Sequence, residues 1–321
     1  RGSDLADGFP VLETIPAAVL RTPDGRRGLR AEYRAGRDTT GAPRFVATDT
    51  VVDEDWGEAS PRRDLPADSF TVRWTGTLRP AKSGSYRLGV IGSMHARLLI
   101  DDSVVARTAY PQRSDEYPDP RLSQSEPLTL EAGRAYRIRI EGTETYGEAQ
   151  LELVWAPPSA GLEEDALAAA RQAEAVVMVM GLSPRLEGEE MPVQIPGFRG
   201  GDRTTLDLPA PQQRLLERVA ALGKPTVLVL LNGSALAVNW AQANVPAIVE
   251  AWYPGQAGGT AVADVLFGDY NPAGRLPVTF YRDTSDLPPF EDYQMLGAPK
   301  GRTYRFFQGT PLYPFGHGLS Y

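Results

Sequence analysis

Three carboxylates fall within four residues of the stretch "RLEGEEMPVQIPGFRGGDR", Arg185 to Arg203: Glu187, Glu189 and Glu190. A carboxyl group serves as a general acid near neutral pH when burial or a neighbouring carboxylate raises its pKa. One chemistry that uses such groups is glycosidic-bond cleavage. It needs two of them facing the scissile bond, about 5–5.5 Å apart in retaining enzymes and farther apart in inverting ones. Three acids in close sequence offer one proton donor and neighbours that tune it, and the Pro and Gly residues behind them suit a projecting loop. The same spacing also fits a solvated acidic turn, and spacing alone leaves both readings open.

The elements around this stretch place it. "VVMVMG" (176–181) directly precedes it and is a fully apolar strand; "PTVLVLLNG" and "AIVEAWYPG" are two more. Between and after them lie helical patterns. "LEEDALAAARQAEA" starts acidic, as the helix dipole prefers, and "PAPQQRLLERVAALG" sets Leu215, Leu216, Val219 and Leu222 on one face, with Pro near its start and Gly223 at its end. "GGTAVADVLFG" is a further helix. Apolar strands alternating with helices predict a parallel sheet covered on both faces, and ligands of such sheets collect beyond the carboxyl ends of the strands. The acidic stretch lies there.

The N-terminal half reads differently. From Gly28 to Pro157 short segments follow one another, among them "FTVRWTGTLRP", "GSYRLGVIGS", "ARLLIDDSVVA", "AYRIRIEG" and "AQLELVWAPP", with Gly, Pro and Asp at the turns. Many short alternating strands predict a β-sandwich. "PPSAG" closes that region. Residues 1–27, rich in turn formers, read as a connecting segment. The expected organisation is therefore multi-domain, α/β plus all-β: 1–27 connection, 28–157 β-sandwich, 158–321 α/β-sandwich.

Composition excludes several classes. The chain of 321 residues is 42% hydrophobic and 23% charged, ordinary for a globular protein. A net charge of −8 argues against a nucleic-acid partner, and no apolar run is long enough for a membrane span. Cysteine is absent, which excludes disulfides and thiolate metal sites, and with two histidines, His95 and His317, a three-histidine zinc site is impossible. The chain opens at Arg1 rather than Met, which gives no basis for judging a signal peptide, and it is expected to be part of a longer protein.

Together, "GLSPRLEGEEMPVQIPGFRGGDRTTLDLP", "EAWYPGQAGGTAVADVLFGDYNPAGRLPVTFY" and "LYPFGHGLSY" resemble the C-terminal α/β-sandwich domain of family 3 glycoside hydrolases, the β-glucosidases, β-xylosidases and their relatives. The resemblance covers Leu162 to Tyr321, with several segments in the family's order. "GLRAEY", "FTVRWTGTLRPAKSGSYRLGV" and "ARLLIDDSVVA" are similar to the protective-antigen-type β-sandwich that a subset of the family carries as an insertion. The resemblance implies a retaining, exo-acting glycosidase with no cofactor. Its aspartate nucleophile would lie in an N-terminal (β/α)8 barrel of the same protein, missing from this sequence, and its acid/base glutamate would come from a loop of the α/β-sandwich. That loop often reads Glu-Gly-x-Asp-Arg in relatives. Asp202 and Arg203 match its end, but "EMPVQIPGFRG" separates them from the glutamates. By this alignment Glu189 is the acid/base, with Glu187 second and Glu190 third.

Other residues carry two readings each. Asp202 and Arg203 orient the acid loop, or form a helix N-cap and a surface pair. Trp252 and Tyr253 form an aromatic sugar platform, or Trp252 packs under the sheet end. Gly255, Gly258 and Gly259 lead into a helix, but no Lys follows as a phosphate cradle requires. Asp101 and Asp102 resemble the calcium-binding acidic pair of lectin-like members of the β module. Calcium wants 6–8 oxygens, and a strand-end turn is the reading adopted, with no metal assigned. His95 and His317 read as structural.

The expected function is part of a retaining exo-β-glycosidase acting on non-reducing-end β-linked glucose or xylose, in a periplasmic or secreted location, with a glycoside or oligosaccharide as partner and a homo-oligomer left open. The alternative is a non-catalytic carbohydrate-binding protein that uses the β module to capture sugar. A nucleotide-binding doubly wound domain would need a phosphate loop that the sequence lacks.

Overall fold

In the computed structural model the described residues are 2–37, 39–108, 121–188, 191, 193–296 and 302–321. They form two compact units: one joins residues 1–11 to 159–321, and the other holds Leu12–Pro158.

The α/β unit is built on a three-stranded parallel sheet, in the order Val176–Gly181, Thr226–Leu231, Ala247–Glu250. Gly181 pairs with Leu231 and Leu230 with Glu250, so the carboxyl ends of the three strands are level. The helix Leu162–Gln172 opens with Glu163, Glu164 and Asp165, the charges its N-terminal dipole favours. The helix Ala210–Ala220 buries Leu215, Leu216 and Val219 against the sheet's core residues Met178, Met180, Leu228 and Leu230. Gln212, on the same helix, is buried and saturated. Its Nε2 donates to the carbonyls of Leu5 and Gly181, both at 2.7 Å, and its Oε1 accepts from the Gly181 N–H at 2.7 Å. One amide thereby fixes the end of the first strand and docks the N-terminal segment. Two features differ from the sequence reading: a short helix forms at Asn239–Asn244, and the third strand stops at Glu250.

The other unit has two antiparallel sheets. One runs in the order Phe45–Asp49, Leu29–Ala35, Phe70–Leu78, Tyr136–Thr143, His95–Ile100, Ser103–Arg107, with Leu20–Arg21 also on Phe70–Leu78. The other is built on Ala149–Ala156 and Gly84–Gly92, joined by Glu13–Thr14, Asp53–Gly57, Arg121–Gln124 and Leu128–Leu130. Period-2 patterning fills the core from alternate positions: Tyr136, Ile138 and Ile140 face in, beside Phe70, Val72 and Trp74 from the neighbouring strand. Trp74 Nε1 and the Tyr33 hydroxyl both donate to Oδ2 of Asp49, at 2.7 and 3.1 Å. The unit begins at Leu12 rather than at Gly28. Ile15 and Leu20, read as part of a connecting segment, are fully buried in its core.

Asp101 and Asp102 are the two central residues of the hairpin that joins His95–Ile100 to Ser103–Arg107, both in the left-handed region at φ +46° and +70°. That is the type I′ geometry a right-twisted hairpin requires. Their carboxylates face Arg137: Asp101 Oδ1 accepts its backbone N–H at 2.9 Å, and Asp102 Oδ2 lies 2.7 Å from Nη2. His317 stacks on Tyr313 with ring centroids 4.9 Å apart, and His95 lies on an exposed strand face across from Thr143.

Candidate active site

The loop that follows Val176–Gly181 folds back on itself. Gly188 N–H reaches the Gly201 carbonyl at 3.3 Å, and Met191 N–H reaches that of Gly200 at 2.9 Å. Beyond them Gln194–Ile195 pairs with Phe198–Arg199 across a Pro196–Gly197 turn, and Phe198–Arg199 pairs with Asp202–Arg203. The chain thus leaves at Gly188 and returns at Gly201, where its backbone meets itself. Gly201 makes that meeting possible: its φ is +91°, and a Cβ there would lie 1.9 Å from the Gly188 carbonyl oxygen. The Asp202–Arg203 pair, distant from Glu187 in sequence, returns beside Gly188.

Glu187 stands at the root of this loop. Its Oε1 accepts from the Gly233 N–H and from the Tyr253 hydroxyl, each at 2.6 Å, and its Oε2 accepts from the Ser234 hydroxyl at 2.6 Å. Gly233 and Ser234 follow the second strand, and Tyr253 follows the third. One carboxylate therefore joins the loops that leave all three strand ends. Burial first, and then the bond to Glu187, push the Tyr253 phenol above its ordinary pKa, so it remains a proton donor to that carboxylate.

Arg203 completes the arrangement from the other end of the loop. Its Nη1 donates to Ser234 Oγ at 3.1 Å and to the Ala235 carbonyl at 2.7 Å, and its Nη2 donates to the Asp207 carbonyl at 3.2 Å. Burial lowers its pKa, while the nearby Glu187, Asp207 and Tyr253 favour its charged form. Asp202, by contrast, is exposed on the edge of the small hairpin. The helix that follows begins only at Ala210, so neither residue caps it.

The end of the third strand carries a second carboxyl, Glu250, which the sequence reading did not single out. It is largely buried, and burial pushes its pKa up to about 7, against opposing hydrogen bonds from the Trp252 N–H and the Asn232 side chain. Its position as the last residue of an apolar strand was the available signal. Trp252 sits in the left-handed region at φ +54° and packs edge-on against Phe280, with centroids 5.9 Å apart. Tyr253 is the more exposed of the two aromatics, and its hydroxyl is committed to Glu187. Glu189 and Glu190, the first and third candidates for the acid/base, lie outside the described residues. No group of three or more His, Cys, Asp or Glu suited to a metal ion occurs among the described residues.

Residues 29–321 match the glycosyl hydrolase family 3 C-terminal domain. The chain belongs to glycosyl hydrolase family 3. Among curated relatives of this family 3 chain, a xylan 1,4-beta-xylosidase of Xylanibacter ruminicola is 36% identical over 326 residues, covering 100% of the chain and 36% of that protein. A beta-xylosidase of Formosa agariphila is 44% identical over 159 residues, 49% of the chain and 20% of that protein. A periplasmic beta-glucosidase of Salmonella typhimurium is 41% identical over 172 residues, 51% of the chain and 21% of that protein. The chain therefore spans well under half the length of these relatives. In fold it is similar to the beta-glucosidase of Kluyveromyces marxianus solved with glucose, with a TM-score of 0.60 at 24% identity over 96% of the chain and 37% of that structure.

Proposed function

We propose that this chain supplies the acid/base side of a retaining exo-β-glycosidase that removes β-linked glucose or xylose from non-reducing ends. The observation that carries the reading is the loop 187–203, held by Glu187 across the carboxyl ends of three parallel strands in a chain whose family contains β-xylosidases and β-glucosidases. The nucleophilic carboxylate would come from an N-terminal barrel of the longer protein. Residues 12–158 are read as an inserted β-sandwich of the protective-antigen type, and a periplasmic or secreted location accords with the name of the Salmonella relative. No observation favours the non-catalytic sugar-binding alternative over this one.

Glu189 is assigned as the acid/base. Glu187 has both carboxylate oxygens engaged by protein donors, whereas a proton donor has to turn an oxygen toward the leaving group. In the first step Glu189 protonates the glycosidic oxygen as the anomeric carbon bonds to the nucleophile and the C–O bond breaks. In the second it takes a proton from water, which attacks the glycosyl-enzyme and releases the sugar with retained configuration. Replacing Glu189 by Ala in the full-length enzyme tests this. Hydrolysis of a natural disaccharide should fall by about 10²–10⁴-fold, while glycosylation by an aryl glycoside with a good leaving group should change little. Azide should restore turnover and yield a β-glycosyl azide. Rescue at Glu187→Ala or Glu190→Ala instead would move the acid to that position.

A further inference from the structure

Both stems of the acid loop converge on a single hydroxyl. Ser234 Oγ donates to Glu187, just before the excursion, and accepts from Arg203, just after it. Glu187 adds the Gly233 N–H and the Tyr253 hydroxyl, so the root of the loop is tied to the other two strand ends by bonds of 2.6 Å. Charge-assisted bonds of this length to a carboxylate are the stronger class. All three donors sit on the loops that leave the ends of parallel strands, Gly233 and Ser234 after Thr226–Leu231 and Tyr253 after Ala247–Glu250.

We infer that Glu187 is a positioning residue: its carboxylate, bridging Gly233, Ser234 and Tyr253, fixes the base of the loop and thereby the place at which Glu189, two residues on, presents its carboxyl group. The inference rests on the assignment of Glu189 as acid/base. A displacement of the order of 1 Å in a catalytic group costs about 10²-fold in rate. Release of the anchor should therefore appear as poor proton transfer with little change in sugar binding.

The test is a double-mutant cycle in the full-length enzyme. Glu187→Ala should lower kcat on a natural β-disaccharide by about 10–10²-fold, with KM nearly unchanged. It should keep the alkaline limb of the kcat/KM profile, because the titrating acid is still present. In a Glu189→Ala background the same change should add less than about twofold, since a residue that acts through Glu189 has nothing left to position. Ser234→Ala, which removes one hydroxyl and keeps the fold, should show a weaker version of the same pattern, and it carries the comparison if Glu187→Ala does not fold. If Glu187→Ala multiplies in full on Glu189→Ala, or if Ser234→Ala behaves as wild type, the positioning role is overturned while Glu189 stands. If Glu187→Ala abolishes the alkaline limb and is rescued by azide, Glu187 is itself the acid, and both assignments fall together.

Discussion

A Cβ placed on Gly233 would lie 2.9 Å from Cε2 of Tyr253 and 2.9 Å from Oε1 of Glu187. The glycine is thus where three loops leave room for a hydrogen bond and for nothing larger. The neighbours in the way are side-chain atoms, so an alanine there would displace the Tyr253 ring or the Glu187 carboxylate rather than break the backbone. Gly233→Ala should keep the fold and cost about 1–3 kcal/mol, the usual range for overpacking. Urea denaturation of the chain measures the change in midpoint. An unaltered midpoint would mean that ring and carboxylate can move apart freely, which would weaken the case for a rigid anchor.

Glu250 gives the α/β unit a dependence on pH. Its folded pKa, raised from 4.5 to about 7 mainly by burial, lies above that of the unfolded chain. The native state therefore holds a proton that the unfolded state has already released, and stability is lost as pH rises through this window. Below about 4.5 both states are protonated and there is no penalty; above about 7 the penalty is complete. Glu250→Gln removes it while keeping the side-chain shape. Relative to this variant, wild type should lose up to about 3 kcal/mol between pH 5 and pH 8. Glu54 and Glu144, also pushed to about 7 by burial in the other unit, act with the same sign. The informative quantity is thus the difference between wild type and variant, followed in the α/β transition; a difference that stays flat with pH would show that Glu250 does not titrate in this window.

The apolar strands and the helix beginning with three acids could be read directly, because apolar composition and the helix dipole leave their mark in the local sequence; the expected cover on both faces of the sheet is not met on the first strand, where Val177 and Val179 alternate outward and are exposed. The small hairpin at 194–203 could not: its strands are two residues long, too short to show a period, and "EMPVQIPGFRG" reads as an open loop. Residues 12–27 were hidden for a different reason. Glu13 pairs with Trp155 and Leu20 with Leu78, so these strands form only when distant partners arrive. The roles of the clustered acids were also beyond the sequence. Glu187, Glu189 and Glu190 are chemically identical side chains, and Glu187 is set apart by the donors that tertiary folding brings to it.

The unit Leu12–Pro158 should fold without the rest of the chain. Its core is its own: Phe70, Trp74, Tyr86 and Leu98 are fully or almost fully buried among residues of that unit. Its two ends are also neighbours, since Glu13 and Trp155 face each other on adjacent antiparallel strands. Cutting it out therefore leaves a gap that a short Gly-rich linker from Val11 to Ser159 can bridge. Expressed alone, residues 12–158 should unfold in one cooperative transition, with near-ultraviolet circular dichroism from Trp74 and Trp155. The linked α/β unit should keep the bonds of Gln212 to Leu5 and Gly181, visible as slow exchange of the Gly181 amide. The whole chain should then melt in two steps that match the separate pieces. A single transition for the whole chain, with both pieces unfolded in isolation, would show that the units depend on each other for stability and would count against an inserted module.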